Sequence, residues 1–234
     1  MVKLVIFDLD GVLIRAKDIH YRALNTAIQK FGDQYVITRN EHLNFYDGLK
    51  TTAKLLKLTK EKKLPISSHD QIWSEKQKIT QKELHNLVPQ ENLTEIFEYL
   101  KSNHCKIACC SNSIRTTVYT ALSKIGAMPF MDLIISNEDV KNSKPHPEMY
   151  WNAMSIFSLN PEETLIVEDS PHGLLAAQRS GAKVLRVKNP DDLTKIKIKS
   201  FLKEKKKIMN TSWQDKKLNV LIPMAGAGCR FEAA

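Results

Sequence analysis

The sequence predicts an α/β fold, a Rossmann-like parallel sheet core with an inserted all-helical segment. Three observations predict it. Short, uniformly apolar runs recur along the chain, the intervals between the later runs carry helical periodicity, and one interval, residues 8–104, is far too long for a single crossover.

The runs are residues 3–7 (KLVIF), 105–110 (CKIACC), 133–136 (LIIS), 165–168 (LIVE) and 184–187 (VLRV). They are too short and too apolar for surface helices, and they read as strands buried on both faces. Segments such as TVYTALSKIGA and GLLAAQRSGA finish at Gly, as helices do. Alternation of this kind implies right-handed crossovers.

In the long interval, residues 17–88 have amphipathic helical pattern and no convincing strand, most clearly in DIHYRALNTAIQKFG, GLKTTAKLLKL and HDQIWSEKQKITQKELHNL. A structureless loop of that length is uncommon in a compact domain. The expected division is a core of residues 1–15 and 89–205 and a helical cap of residues 16–88. The cap would move as a lid hinged near residues 14–17 and 87–91.

Composition excludes several classes. The chain has 234 residues, 42% hydrophobic and 26% charged. No window approaches the ~20 apolar residues of a membrane span, and the opening MVKLVIF is too short for a signal-peptide core, so a cytoplasmic location is expected. Cys105, Cys109, Cys110 and Cys229 show neither zinc spacing nor a disulfide framework. Three of them flank or enter an apolar run and are expected as buried free thiols. The net charge of +9 comes mostly from Lys in KIKIKSFLKEKKK and TKEKKL. Such runs form a solvated helix face or a linker, and without a recognition motif they point to neither nucleic acid nor membrane.

The densest chemistry is in FDLDGVL, where Asp8 and Asp10 stand at the end of the first strand before Gly11. Two carboxylates there are unfavourable unless paired or metal-bound, and that edge of an open α/β sheet is where ligands bind. Ser111 ends KIACCSNS, Lys144 lies in NSKPHPEMY, and LIVEDS closes with Glu168, Asp169 and Ser170. Singly these read as a cap, a surface residue and a turn former. Together they supply a carboxylate nucleophile, a second carboxyl, a hydroxyl, an ammonium and an acidic pair for a hard cation, the parts that phosphoryl transfer needs.

DLDGVL, SNS, KPHPEMY and EDSPHGLLAAQRSGA, in that order across residues 1–205, resemble the four motifs of the haloacid dehalogenase superfamily. The resemblance is to its β-phosphoglucomutase-like branch, whose helical cap follows the first motif. It implies that Asp8 attacks phosphorus to form an aspartyl-phosphate, while Asp10 protonates the leaving oxygen and then activates water. It also implies that Ser111 and the backbone at Asn112 hold phosphate oxygens and that Lys144 offsets charge. Mg2+ would rest on Asp8, the Asp10 main-chain carbonyl and Asp169, with Glu168 a further acidic contributor.

The implied activity is Mg2+-dependent hydrolysis of a small phosphorylated metabolite, a phosphosugar, and the alternative is a sugar-phosphate mutase. His20 matches the residue with which the mutase positions its acid/base Asp. YDGLKTTAKL resembles the cap's substrate loop, with Gly48 at the turn and Lys50 or Lys54 as contacts to an anionic substrate. Where the branch often has an Asp and a small hydroxyl, this chain has Arg15 and Ala16, and Thr51 replaces the mutase's Arg. A mutase must clamp a bisphosphate in both orientations while excluding water. Those losses therefore favour hydrolysis, although Lys50 supplies the charge of the missing Arg without its fork.

Residues 206–217 read as a linker before LNVLIPMAGAGCRF. That stretch is expected either as a docked edge strand or, by resemblance to the first strand and nucleotide-binding loop of sugar-phosphate nucleotidyltransferases, as the truncated start of such a domain over residues 218–234. In the second case Arg230 helps hold the nucleotide phosphates, and the full-length protein joins a phosphatase to a nucleotidyltransferase partner domain.

Overall fold

The computed structural model describes residues 1–203. Five parallel strands, β1 (Leu4–Phe7), β2 (Lys106–Cys110), β3 (Leu133–Ile135), β4 (Thr164–Glu168) and β5 (Lys183–Arg186), form one sheet in the order β3-β2-β1-β4-β5. This is the expected α/β architecture, with each strand within one residue of its predicted limits. The Asp-bearing strand β1 is central, with Leu4 opposite Lys106 on one side and Thr164 on the other.

Side-chain alternation along the strands divides the core into two layers. Val5, Phe7, Ile107, Cys109, Leu165 and Val167 face one cluster, together with Leu93, Ile96, Phe97 and Leu100 of α5 (Glu91–Ser102) and Val118, Ala121 and Leu122 of α6 (Arg115–Lys124). Leu4, Ile6, Ala108, Cys110 and Ile166 face the other, against α7 (Glu148–Ile156) and α8 (Pro171–Ser180). A sheet covered on both faces needs apolar residues at every strand position, which is why its strands read as unbroken runs. Cys105, Cys109 and Cys110 are buried and free, and burial pushes the Cys110 thiol up to about 12. Cys229 and the whole of residues 206–234, with the expected linker and nucleotide-binding loop, lie outside the described residues.

Between β1 and α5 the described chain is helical, with α1 (Ala16–Gln29), a short α2 (Arg39–Glu41), α3 (Thr51–Lys62) and α4 (His69–Leu84). These helices bury a cluster of their own, including Leu24, Ile28, Ile37, Tyr46, Leu55, Leu58 and Ile72. Thr38 and Glu41 close a reciprocal capping box over α2. The described part of the Lys-rich stretch is α9 (Lys195–Lys203), with Ile198 buried and Lys199 5.0 Å above the Tyr99 ring. No helix among the described residues is long and apolar enough to cross a membrane.

One buried group in the inserted helices sets an acid limit. His42 is fully buried beside the Tyr21 ring, and neither ring nitrogen has a hydrogen-bond partner among the described residues. Burial first, and Lys54 next, depress its pKa to about 4. The unfolded chain regains a pKa of about 6.5 and binds the proton that the folded chain refuses, so His42 lowers stability as pH falls from about 6.5 to 4 and has no effect above that window. His42→Leu is expected to abolish about 3 kcal/mol of the stability lost between pH 7 and 4. Urea unfolding of both proteins at each pH measures it, and parallel curves would refute it.

Candidate active site

The carboxyl ends of β1, β2 and β4 meet at one buried ammonium. Lys144 is 5% exposed, and its Nζ lies 2.6 Å from Asp8 Oδ1, 2.6 Å from Glu168 Oε1 and 2.8 Å from the Cys110 carbonyl. Burial opposes its charge, but Asp8 and Glu168 outweigh burial and hold the pKa well above the usual lysine value. The Asp8 carboxyl is pushed up by burial and then by Glu168, against Lys144. One ammonium does not balance the carboxylates gathered there.

Glu168 is saturated. Its Oε1 also accepts from Tyr150 Oη at 2.9 Å, and its Oε2 accepts from the Asp169 N–H at 2.9 Å and the Ser170 N–H at 3.3 Å. Ser170 caps α8 by accepting the Gly173 N–H, with Pro171 at the first helical position. A Cβ at Gly173 would sit 1.9 Å from Glu168 Oε1. Gly173→Ala is therefore expected to cost about 1–3 kcal/mol, reversing the gain of up to about 1 kcal/mol that Ala brings to a helix. Urea unfolding checks the sign, and a stabilised variant would mean that Glu168 can move freely.

Asp10 has a different setting. Its Oδ2 accepts from Ser113 Oγ at 2.7 Å and lies 3.2 Å from His20 Nε2, while Oδ1 is buried without a hydrogen-bond partner among the described residues. Burial raises its pKa, but His20 and Ser113 outweigh burial and bring it down to about 2. Burial and the Lys76 charge depress His20 itself.

Asp8, Glu168 and Asp169 each offer an oxygen within 4.8 Å of the others. Among the described residues Asp169 Oδ1 is buried with no hydrogen-bond partner, and burial lifts that carboxyl to about 6 even though Lys17 Nζ stands 2.7 Å from Oδ2. Gly11, at φ 99°, passes so close that a Cβ would lie 2.1 Å from Asp169 Oδ2. An excess of carboxylates with unpartnered oxygens in a tight cradle fits a hard divalent cation. The Asp8 and Asp169 carboxylates are best suited to hold it, whereas the oxygens of Glu168 are occupied and the Asp10 side chain is outside the group.

Ser111 is buried, with its N–H on the Ile135 carbonyl at 2.9 Å and its Oγ accepting the Ser113 N–H at 3.0 Å. The Asn112 side chain is a clamp: Nδ2 donates to the carbonyls of Gly48 at 2.9 Å and Lys144 at 3.0 Å, and Oδ1 accepts the Lys144 N–H at 3.0 Å. Asp8, Asp10, Ser111, Asn112 and Lys144 line one cavity of about 340 Å³ together with His20, Gly48, Lys50 and Lys54 from the inserted segment. Glu168 and Asp169 lie behind that lining.

Sequence reasoning missed Ser113, Tyr150, Lys17 and Lys76. Ser113 stood inside a quoted motif, but only folding brings it to Asp10. Lys17 spans two elements, 2.9 Å from Asp47 and 2.7 Å from Asp169, and both carboxylates keep it charged against burial.

Comparison with known proteins places this geometry among relatives. The family model described as Haloacid dehalogenase-like hydrolase matches residues 5–187. Pyrophosphatase PpaX of Bacillus mycoides is 29% identical over 188 residues, 80% of this chain and 83% of its own length. The phosphorylated carbohydrates phosphatase of Thermotoga maritima is 26% identical over 182 residues, 76% of this chain and 81% of its own. The crystal structure of β-phosphoglucomutase from Clostridium difficile superposes with a TM-score of 0.74 at 22% identity, covering 86% of this chain and 97% of that one.

Proposed function

The chain belongs to the haloacid dehalogenase-like hydrolases, and from that premise we propose that it is a Mg2+-dependent phosphatase of a small phosphorylated metabolite, a phosphosugar. The observation that carries the reading is the unequal setting of two carboxylates on one strand end. Asp8 is paired with Lys144, and Asp10 is held by Ser113 beside His20. One is arranged for attack and the other for proton transfer. The phosphosugar finds support in the name of the Thermotoga maritima relative.

In this reading Asp8 attacks phosphorus in line with the leaving oxygen. Lys144 keeps the attacking carboxylate oriented and offsets charge on the phosphoryl oxygens, with Ser111 and the Asn112 backbone on its far side. Asp10 rests ionised. An arriving phosphate dianion raises its proton affinity, so Asp10 takes up a proton with the substrate, gives it to the leaving oxygen and then draws one from the water that cleaves the aspartyl-phosphate. Asp8, Asp169 and the Asp10 main-chain carbonyl would hold a divalent cation, which would supply the remaining positive charge when bound. Residues 16–88 act as the lid, tied down by the Asn112 bond to Gly48 and by Gln81 Nε2 on Thr117 Oγ1 at 3.2 Å.

Phosphate release from a panel of sugar monophosphates and bisphosphates, with Mg2+ and with chelator, tests the proposal. Mg2+-dependent release is the expected result, and no release from any phosphomonoester would overturn it. A mutase reading is favoured by one contact, His20 beside Asp10. In the same assay, interconversion of hexose 1- and 6-phosphates that outruns phosphate release would establish it.

A further inference from the structure

Beside the catalytic cavity lies a second one, of about 370 Å³, bordered by the loop that carries Lys144. Lys141, Ser143 and His146 of that loop, Arg179 of α8 and Lys50 of the inserted segment line it, and among the described residues no carboxylate does. Lys144 borders it too, but its ammonium is committed to Asp8 and Glu168. Among the described residues Lys50, Lys141 and Arg179 form no ion pair, whereas Lys3, Lys101 and Arg115 pair with Glu163, Asp132 and Asp139.

Hydrogen-bond donors in this cavity are largely unspent. Arg179 Nη1 donates to the Pro145 carbonyl at 3.3 Å, which leaves the rest of the guanidinium fork without a partner among the described residues. Ser143 Oγ is buried and has no hydrogen-bond partner among them either. His146 Nδ1 accepts the Glu148 N–H at 3.2 Å, so a neutral ring carries its proton on Nε2 as a donor. Glu148 does not neutralise this face, because its oxygens are engaged: Oε1 accepts the Lys141 N–H at 2.7 Å, and Oε2 accepts the Asn142 N–H at 2.9 Å and Asn142 Nδ2 at 2.8 Å.

Positive charge gathered in a concave cavity without acids attracts anions, and a guanidinium with a hydroxyl and an ammonium matches the oxygens of a tetrahedral dianion. We propose that Lys141, Ser143, His146 and Arg179 bind a phosphate-type dianion outside the catalytic cavity, and that the bound anion ties this face to Lys50 and so holds the lid. The anion is not the scissile group, which Lys144, Ser111 and Asn112 take at the strand ends. The regulatory half of the proposal rests on the phosphatase reading: released phosphate occupies the site, bridges core and inserted segment, and slows the opening that product release requires.

Calorimetry with inorganic phosphate in metal-free buffer tests the site, since the catalytic end then presents uncompensated carboxylates that repel a dianion. A double variant, Lys141→Gln with Arg179→Gln, is expected to bind phosphate about tenfold or more weakly than wild type, each screened contact adding a few-fold. Glycerol 3-phosphate in the same titration separates the two sources of such a dianion. Binding as tight as that of phosphate identifies an organic ester as an occupant, and binding of phosphate alone identifies the free product. Equal phosphate affinity in the two proteins, or no wild-type binding at about 10 mM, would overturn the site.

A second readout uses turnover in Mg2+. Inhibition by added phosphate is expected to be mixed for wild type and competitive alone for the double variant, whose kcat/KM without phosphate stays within about twofold of wild type. Purely competitive inhibition of the wild type would overturn the hold on the lid. Absence of phosphate release from every substrate would instead overturn the phosphatase reading, and the metal-free titration would still decide the site. Lys141 and Arg179 are exposed, so thermal unfolding of the double variant is expected to match wild type. Should it melt lower, Lys141→Gln alone decides, because that ammonium makes no bond among the described residues: about threefold weaker phosphate binding is expected, and unaltered binding would overturn the site.

Discussion

Asp8→Asn is expected to abolish phosphate release while leaving the protein folded. An amide oxygen is a poor nucleophile toward phosphorus, and removal of a covalent nucleophile costs about 10⁴-fold or more in kcat. The Asn keeps the shape of the side chain and its acceptor oxygen for Lys144, now 2.6 Å from Asp8 Oδ1. It also removes one of the carboxylates crowded around that ammonium. Thermal unfolding is therefore expected to match or exceed wild type, so lost activity cannot be assigned to lost structure. The assay is steady-state phosphate release from whichever substrate the panel identifies. Retained Mg2+-dependent turnover above about one percent of wild type would remove Asp8 from the chemistry.

Lys144→Met is expected to have the largest effect on stability. Met matches the length of the stem, but it deletes the charge that neutralises Asp8 and Glu168 at 2.6 Å each in a site 5% exposed. Breaking a buried pair by removing one partner costs about 3–5 kcal/mol, and here one cation serves two carboxylates. Urea unfolding in chelator measures the loss. Added Mg2+ is expected to restore more stability to the variant than it adds to wild type, since the unbalanced carboxylates bind a cation more tightly once the ammonium is gone. Unfolding midpoints unaltered by the substitution would refute the role of Lys144 as the stabilising counter-charge.

The strand-end wall of the cavity was legible because its residues punctuate apolar runs. FDLD, CCSNS and LIVED each place polar groups directly after a strand, so a one-dimensional pattern already reports a shared edge of the sheet. The inserted wall was harder to read. Lys76 lies in KQKITQKEL, a polar stretch in which three lysines differ little in local context, and only packing of α4 against α1 decides which of them is buried. Ser113 reaches Asp10 across 103 residues of chain, and Lys17 reaches Asp169, so no local rule selects either. Asn112 was expected to act through its backbone, yet its side chain bonds to both Gly48 and Lys144, because three loops converge on an amide with two donors and an acceptor.

The central place of β1 also bears on how the chain is made. Leu4–Phe7 leaves the ribosome well before its hydrogen-bonding neighbours, Lys106–Cys109 and Thr164–Val167. The helices of residues 16–84 can associate with one another long before either partner strand has been synthesised. Nascent chains should thus hold a helical bundle early and an unpaired apolar strand beside it, with both edges of β1 closed only after residue 167 has emerged. Loop closure over such separations is slow. During that delay the strand that leads into Asp8 is the segment of the described chain most in need of chaperone shelter.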